Sequence, residues 1–477
     1  MRKLVLPTFV ILLSLTIANG QKMTMQECVK TALDNNLTVK RGVYNVETNR
    51  VNLLSAKGVF LPTLNLGGSG TQNYGRSLNP VTNTFIPNSV TRSLNGQLTG
   101  GLLLYNGLRA QYNYRSNKRF VEAADLDLEK AKNDVIIAVV QNYTNVILNK
   151  ELFENAKFQL NSSQQQLDRI KKQVEAGALS KSNELTQEAT VATNETNLIT
   201  QENAYNLSLL TLKQSMQVPA STQLEVVVPD ITMEDLTITQ TPEEIYAISA
   251  QTLPQVRSAM LKVEAAQLAM KAARSAYQPT LRFTYASTTN YGSASDGPRY
   301  SAGPSTIKTV GYVGGDPNQP VLAPAPTSTV IQTADDYPVK DQLGDNLYKN
   351  VGLSLNIPIL NGLQTRTNVQ QAIINRELAA ITVKETENTL RQSIETAYNN
   401  ALAAAKTYSA AVKQVSANEE AFRMVQQRHE NGAATYIEYQ VASNDLFSAK
   451  SGLAQAKYRF ILAKKILEFY QGKTIEY

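Results

Sequence analysis

The sequence predicts a mixed architecture: long antiparallel α-helical hairpins joined to membrane-length β-strands, the whole written twice in tandem. Three observations carry that reading. Two stretches, Leu108 to Val174 and Leu363 to His429, run without a proline; each is about seventy residues, or roughly 100 Å of helix. Their landmarks recur at one distance: Asn106-Gly107-Leu108 returns as Asn361-Gly362-Leu363, Tyr143 as Tyr398 and Gly177 as Gly432, each 255 residues later. Ahead of each helix the apolar period switches from helical to strict alternation, the mark of half-buried strands.

Taken in order, Met1 to Gly20 reads as a signal peptide. Arg2 and Lys3 form its basic start, Leu4 to Ile17 its apolar core, and Ala18-Asn19-Gly20 its small-residue cleavage site. Its loss takes the net charge from +6 to +4, too small an excess to imply a nucleic-acid partner. No later apolar run approaches eighteen residues, so no transmembrane helix is expected. One cysteine, Cys28, and one histidine, His429, exclude an internal disulfide and a Cys/His zinc site. No cofactor is expected. Cys28 reads as a small buried hydrophobe.

The repeat starts before the long helices. Thr24 with Glu27 is a capping-box pattern, and it returns 217 residues on as Thr241-Pro242-Glu243-Glu244. That register pairs Cys28 with Ile245, the break at Asn36-Leu37 with Leu253-Pro254, and Leu61-Pro62-Thr63-Leu64 with Gln278-Pro279-Thr280-Leu281. The mature chain, 21–477, is therefore one domain made of repeat 24–216, connector 217–240 and repeat 241–471.

Four extended segments follow the two prolines. Leu94, Gly96, Leu98, Gly100, Leu102 and Leu104 share a face, with Asn95, Gln97 and Thr99 on the other. In the second repeat Leu281, Phe283 and Tyr285 alternate with Arg282 and Thr284, and Val351, Leu353, Leu355, Ile357 and Ile359 alternate with polar residues. Each segment is about ten residues, enough for a tilted strand to cross a bilayer. The links are unequal: 75–93 is short and rich in Asn, Ser and Thr, whereas 292–349 is rich in Gly, Pro and Ser and carries Asp335-Asp336. Such a loop is expected to be exposed.

The long helices carry heptad seams near their far ends: Leu160, Leu167 and Val174 with Ile170, and Val415, Phe422 and His429 with Val425. The second return helix alternates large and small residues from Leu446 through Ala449, Leu453, Ala456, Phe460 and Ala463 to Leu467, a pattern suited to close helix packing. Each return helix is about half its partner's length, so a shorter rising helix, 38–58 or 255–276, pairs with the rest.

Four strands cannot close a transmembrane barrel, since the smallest have eight, and open edges in lipid cost several kcal/mol per unsatisfied group. Copies of the chain must share one. Two copies would give eight strands and a plugged lumen, three copies twelve and a water-filled one; the residues alone leave both open.

The Leu61-Pro62-Thr63-Leu64 and Gln278-Pro279-Thr280-Leu281 entries to strands, the Tyr105-Asn106-Gly107-Leu108 and Leu360-Asn361-Gly362-Leu363 exits, and the glycines at the helix tips resemble the TolC-like outer-membrane efflux family over nearly the whole mature chain. The resemblance implies a homotrimer in the outer-membrane lipid: a 12-stranded barrel completed by four strands per chain, on an α-helical tunnel through the periplasm. It further implies a passive exit duct for small molecules or proteins, in a tripartite efflux or type I secretion system, docked to a periplasmic adaptor (membrane fusion) protein and an inner-membrane pump.

Candidate functional residues lie at the tips. Gly177, Ala178, Leu179 and Ser180, and Gly432, Ala433, Ala434 and Thr435, form turns whose small residues permit close approach of another backbone; the resemblance makes them adaptor contacts. It also places a tunnel-closing carboxylate on Glu438, while the family's next carboxylate falls on Val441 and its basic residue on Ala434, two departures. Three Glu438 carboxylates around an opening would repel each other and raise their pKa, and an acidic ring would favour cations. Glu184, beside the equivalent Asn183, His429 and Asp445 complete the expected constriction. A trimeric coiled-coil adhesin or stalk is the chief alternative, disfavoured because Gly177 and Gly432 with their shorter return helices require hairpins. A carboxylate-only hydrolase is the remaining enzymatic reading; no His pair, Cys cluster or phosphate-binding glycine loop supports an enzyme.

Overall fold

Capping fixes where the helices begin. Thr24 accepts the Glu27 N–H while the Glu27 carboxylate accepts the Thr24 N–H at 2.8 Å, and Thr241 with Glu244 repeats the arrangement. The computed structural model describes residues 21–78, 85–228, 238–293, 299–325, 327–332 and 338–473. The expected signal peptide 1–20, part of the connector and part of each strand link, including Asp335-Asp336, lie outside the described residues.

The first repeat runs β1 (Gln21–Met23), α1 (Met25–Asn35), α2 (Leu37–Gly58), β2 (Thr63–Leu78), β3 (Phe85–Tyr105), α3 (Arg109–Glu175) and α4 (Lys181–Ser215). After β4 (Leu224–Val226) come α5 (Pro242–Thr252), α6 (Pro254–Arg274) and β5 (Thr280–Gly292), then β6 (Arg299–Ala302), β7 (Thr306–Tyr312), β8 (Pro320–Ala325), β9 (Ser328–Gln332) and α7 (Val339–Asp345). The chain ends with β10 (Tyr348–Asn356), α8 (Gln364–Glu430) and α9 (Tyr436–Tyr470). The repeat is exact in helix length: α3 and α8 have 67 residues each, α4 and α9 have 35 each.

Contacts divide the chain into two units. One falls within residues 1–52, 116–267 and 374–477, and its described residues are helical, apart from loops and a short parallel ladder of β1 on β4. Its core has two clusters that use the same repeat positions. In one, Cys28, Val39, Val135, Val139 and Val146 pack with Tyr143, Ile147, Leu212 and Met216; in the other, Ile245, Val256, Leu390, Ile394 and Ala401 pack with Phe460, Ala463 and Leu467. Cys28 is fully buried, as its pairing with Ile245 requires. Tyr143 gains a further role: its hydroxyl donates to the Val227 carbonyl at 2.6 Å, tying α3 to the connector. The β1–β4 ladder was invisible in sequence because three-residue strands carry no readable period.

The other unit comprises residues 53–115 and 268–373. Its four strands lie in the order β10-β5-β3-β2, all antiparallel, with β3 and β5 joining the two repeats. Register places Leu64 and Leu66 of β2, Leu98 and Leu102 of β3, Phe283 and Tyr285 of β5, and Val351, Leu353 and Leu355 of β10 on one face. The opposite face carries Asn65, Asn95, Gln97, Thr284, Thr288 and Asn350. β2 and β3 have 16 and 21 residues, longer than the expected strands of about ten. Past Leu66 in β2 and before Leu94 in β3 the apolar residues no longer alternate, so the pattern fades while the backbone ladder continues past a bulge at Gly75/Ser77.

The expected loop 292–349 contains structure. β6 pairs with β9 and β7 with β8, two nested antiparallel ladders turning at Gly314 and Gly315, both at positive φ. α7 then covers β5 where β10 has not yet begun: Gln342 Oε1 accepts the Gly292 N–H at 3.2 Å, and Asn346 donates to the Asn290 carbonyl at 2.8 Å. Side chains replace a strand there for the Asn290 carbonyl and the Gly292 N–H.

Candidate functional site

At the far end of α3 the helix stops in a Schellman motif. Gly177, at φ 77°, donates to the Val174 carbonyl at 3.0 Å, and Ala178 donates to the Gln173 carbonyl at 2.8 Å. α8 ends identically: Gly432, at φ 73°, donates to His429 at 3.0 Å and Ala433 to Arg428 at 2.7 Å. Neither glycine has a heavy atom near the place a Cβ would take. The tip residues Gly177, Ala178, Ser180, Gly432, Ala433 and Thr435 are exposed, while Leu179 and Ala434 are half-buried.

The two return helices start differently. Thr435 caps α9, with its N–H and hydroxyl donating to the Glu438 carboxylate at 2.7 and 3.0 Å; Arg428 lies 3.8 Å away. Thr435, then Arg428, hold the Glu438 carboxyl below its ordinary value. The rise expected from repulsion around a ring belongs to three copies together, whereas the capping hydrogen bonds act within one chain. Ser180 makes no side-chain cap on α4. Lys181 instead bonds Glu184 at 2.7 Å, and Glu184 is buried.

Glu438 and Asp445 come together on α9. With Asn418, Val425, Ile437 and Val441 they border an open hollow of about 340 Å³ on the face of the α8–α9 hairpin. Glu184 and His429 are not among its walls. His429 stands with its ring centroid 5.2 Å from Tyr439 and 6.5 Å from Tyr436, and Phe422 closes on Tyr439 at 5.5 Å. The His429 Nδ1 donates to the Ala434 carbonyl at 3.1 Å.

Sequence reasoning missed a polar seam between the hairpins. The Tyr436 hydroxyl donates to Gln440 Oε1 at 3.0 Å, Gln440 donates to Asn444 at 3.1 Å, and Gln159 of α3 donates to the same Asn444 oxygen at 3.5 Å. Burial, then neighbouring Tyr439, push the Tyr436 phenol up to about 12. The i, i+4, i+8 spacing of Tyr436, Gln440 and Asn444 was the available signal, obscured because polar helix residues normally face water.

In the sheet, Gly67, Ser69, Asn95, Gln97, Thr288 and Asn290 border a polar hollow of about 550 Å³, while Leu66, Val351 and Leu353 stand exposed on the other face. One greasy and one hydrophilic face is what a lipid-facing wall around water requires. Among the described residues no helix is long and apolar enough to cross a membrane, and no group of His, Cys, Asp and Glu is placed to hold a metal.

Long helical hairpins combined with such a sheet define an outer-membrane channel fold, and comparison with known proteins agrees. The family model for outer membrane efflux proteins matches residues 28–216 and 246–473, and the chain belongs to that family. It is 21% identical over 460 residues to the outer membrane efflux protein BepC of Brucella suis, covering 96% of this chain and 88% of BepC. Its fold is similar to the CmeC outer membrane channel of Campylobacter jejuni (TM-score 0.73, 17% identity, 94% of this chain and 85% of that one). The outer membrane protein VceC of Vibrio cholerae gives 0.72, 13%, 95% and 97%. The MtrE outer membrane channel of Neisseria gonorrhoeae, solved in its open state, gives 0.69, 16%, 95% and 89%. The protein is an outer-membrane efflux duct, with its helices on the periplasmic side.

Proposed function

We propose that three copies of this chain build one duct, twelve strands in the outer membrane over a helical tunnel, and that it works passively within a tripartite efflux or type I secretion system. The observation that carries this is the four-stranded sheet whose edges, β2 and β10, have no further partner strand among the described residues. An edge facing lipid leaves N–H and C=O groups unpaired, at several kcal/mol each. Pairing β10 of one copy with β2 of the next removes every edge. Three copies rather than two leave a lumen that matches the polar inner face. The exposed tips, with glycines at positive φ and small neighbours, fit contact with a hairpin of a periplasmic adaptor that couples the duct to an inner-membrane pump. Glu438 and Asp445 are the carboxylates proposed to line the constriction, with His429 and Glu184 supporting it by packing. Residues 1–20 serve as the export signal.

Mass measurement on the detergent-extracted protein tests the assembly. A trimer is expected. A monomer that nevertheless holds a complete barrel contradicts the proposal.

A further inference from the structure

The sheet's polar wall carries one charge. From Thr63 to Asn73 of β2, from Thr91 to Tyr105 of β3, and throughout β5 and β10, the strands hold three basic residues and no acidic one: Arg92, Arg282 and Lys349. Register separates the three. Arg92 stands opposite Gln72 and two residues from Leu94, and Lys349 stands opposite Ser287 and two residues from Val351, so both belong to the apolar face. Arg282 stands between Leu103 of β3 and Ser354 of β10, in step with Thr284 and Thr288. It is on the face that the proposed duct turns to water.

Arg282 is the third residue of β5, at the end of the strand that follows α6, and hence at the periplasmic end of the sheet. Its guanidinium lies along the wall: a Cβ built on Gly101 would have Arg282 Nη1 at 3.9 Å and Thr63 Oγ1 at 3.7 Å. The missing side chain of Gly101 leaves room over β3 for the guanidinium, and Arg282 stays exposed. Among the described residues it has neither an ion pair nor a hydrogen bond. On an open surface an exposed arginine is ordinary; on the inner wall of a ring it recurs three times at one level. Twelve strands spaced about 4.8 Å apart and tilted by about 40° enclose a circle roughly 24 Å across at the backbone. Each guanidinium is then within roughly 12 Å of the axis, close to the Debye length of about 10 Å at 0.1 M salt. In dilute salt the three fields overlap across the lumen, and the neutral wall supplies nothing of opposite sign to cancel them. A guanidinium presents paired N–H donors that match carboxylate and phosphate oxygens, and basic rings favour anions in pores.

We propose that three Arg282 side chains form an anion-binding collar at the periplasmic end of the barrel, which draws cargo bearing carboxylate or phosphate groups from the tunnel into the outer-membrane pore. The collar rests on the trimeric duct and deepens that reading by naming a class of cargo. Its charge is opposite to that of Glu438 and Asp445, so the two sites act on different ions.

Pyrophosphate, a compact multivalent oxyanion, is the probe. Titration calorimetry on the full-length, detergent-extracted trimer is expected to show one saturable site per three chains at about 20 mM salt, and loss of that binding at about 500 mM. Arg282→Gln should weaken the binding roughly tenfold or more, while Arg282→Lys, which keeps the charge, should lose less. Lys349→Gln, on the opposite face, should bind as the unaltered protein does. In planar bilayers with dilute salt, Arg282→Gln should shift the reversal potential toward cation selectivity, opposite in sign to the shift expected for Glu438→Gln. A trimer by native mass that binds no pyrophosphate in dilute salt, or whose binding survives Arg282→Gln, overturns the collar and leaves the duct standing. Equal losses in Arg282→Lys and Arg282→Gln would assign the effect to the shape of the wall rather than its charge, and also overturn it. So would an unchanged reversal potential. A monomer by native mass overturns the trimer on which the collar rests.

Discussion

Cys28 shows how one residue is set by its place in the repeat. Burial, reinforced by the neighbouring Glu27 carboxylate, pushes its thiol up to about 12. At pH 8 the thiolate is therefore about a thousandfold scarcer than for an ordinary thiol. Alkylation by iodoacetamide is expected to be negligible in the folded protein and complete in denaturant; rapid labelling of the native state would mean the α1 core is open. Glu438 has two duties that one substitution separates. Its depressed carboxyl pKa means that the cap's contribution is complete above the ordinary value of 4.5 and fades as pH falls through the folded value. Glu438→Gln keeps a capping-box side chain at N3, so α9 should still start at Tyr436 while the charge is gone. In planar bilayers the variant should keep its single-channel current and lose cation selectivity, read as a shift of reversal potential in a salt gradient. An unchanged reversal potential would place Glu438 off the lumen, leaving its capping role.

The elements repeat down to their turns. Asn106-Gly107-Leu108 and Asn361-Gly362-Leu363 both pass from strand to helix through two consecutive residues at positive φ, including Leu108 at 67° and Leu363 at 66°. Leucine in that region is strained, and its appearance at both places shows that the turn geometry, not the local preference, decides. Gly107 is also squeezed: a Cβ there would lie 2.5 Å from the Gln278 Cβ and 2.7 Å from the Ser275 carbonyl. Gly107→Ala should cost about 2–4 kcal/mol from strain and overlap together. Gly177→Ala, with open space around it, should cost only about 1–2 kcal/mol. Denaturant midpoints of the two variants compare them, and equal shifts would contradict the packing of Gly107 on Ser275–Gln278.

Much at this scale was legible in the sequence. The long helices, both capping boxes and the inward and outward strand faces are periodic features, written twice in register. Three things were not. The β1–β4 ladder is too short for a period, the outer parts of β2 and β3 carry apolar residues without alternation, and β6 to β9 sit in a Gly/Pro-rich stretch whose pairing is set by ladder hydrogen bonds rather than by burial. At the tips, the sequence singled out Glu438 and Asp445, and the structure sets them at one hollow. It did not reveal that the Glu438 carboxylate is engaged by Thr435, or that Tyr436, Gln440 and Asn444 form a seam with Gln159. A capping box and a lumen carboxylate look the same in one dimension.

At the scale of the whole molecule, the proposed ring organises the rest: in it a single chain is one part of a shared duct. Among the described residues its sheet ends in two edges with no further partner strand, and its second hairpin exposes at Leu378, and its α2 at Tyr44, the positions that its other repeat buries. In the proposed ring, duplication explains both at once, since a two-repeat chain has one internal junction and a neighbour makes the other. The polar inner face and apolar outer face of the sheet follow from where lipid and water lie once the ring is closed. The most direct test of this account is single-channel conductance of the purified protein in a planar bilayer, recorded on the trimer fraction. Discrete ion-conducting steps from the trimer, and none from dissociated monomer, are the expected result. A silent trimer, or steps of the same size from monomer, would contradict a shared twelve-stranded duct.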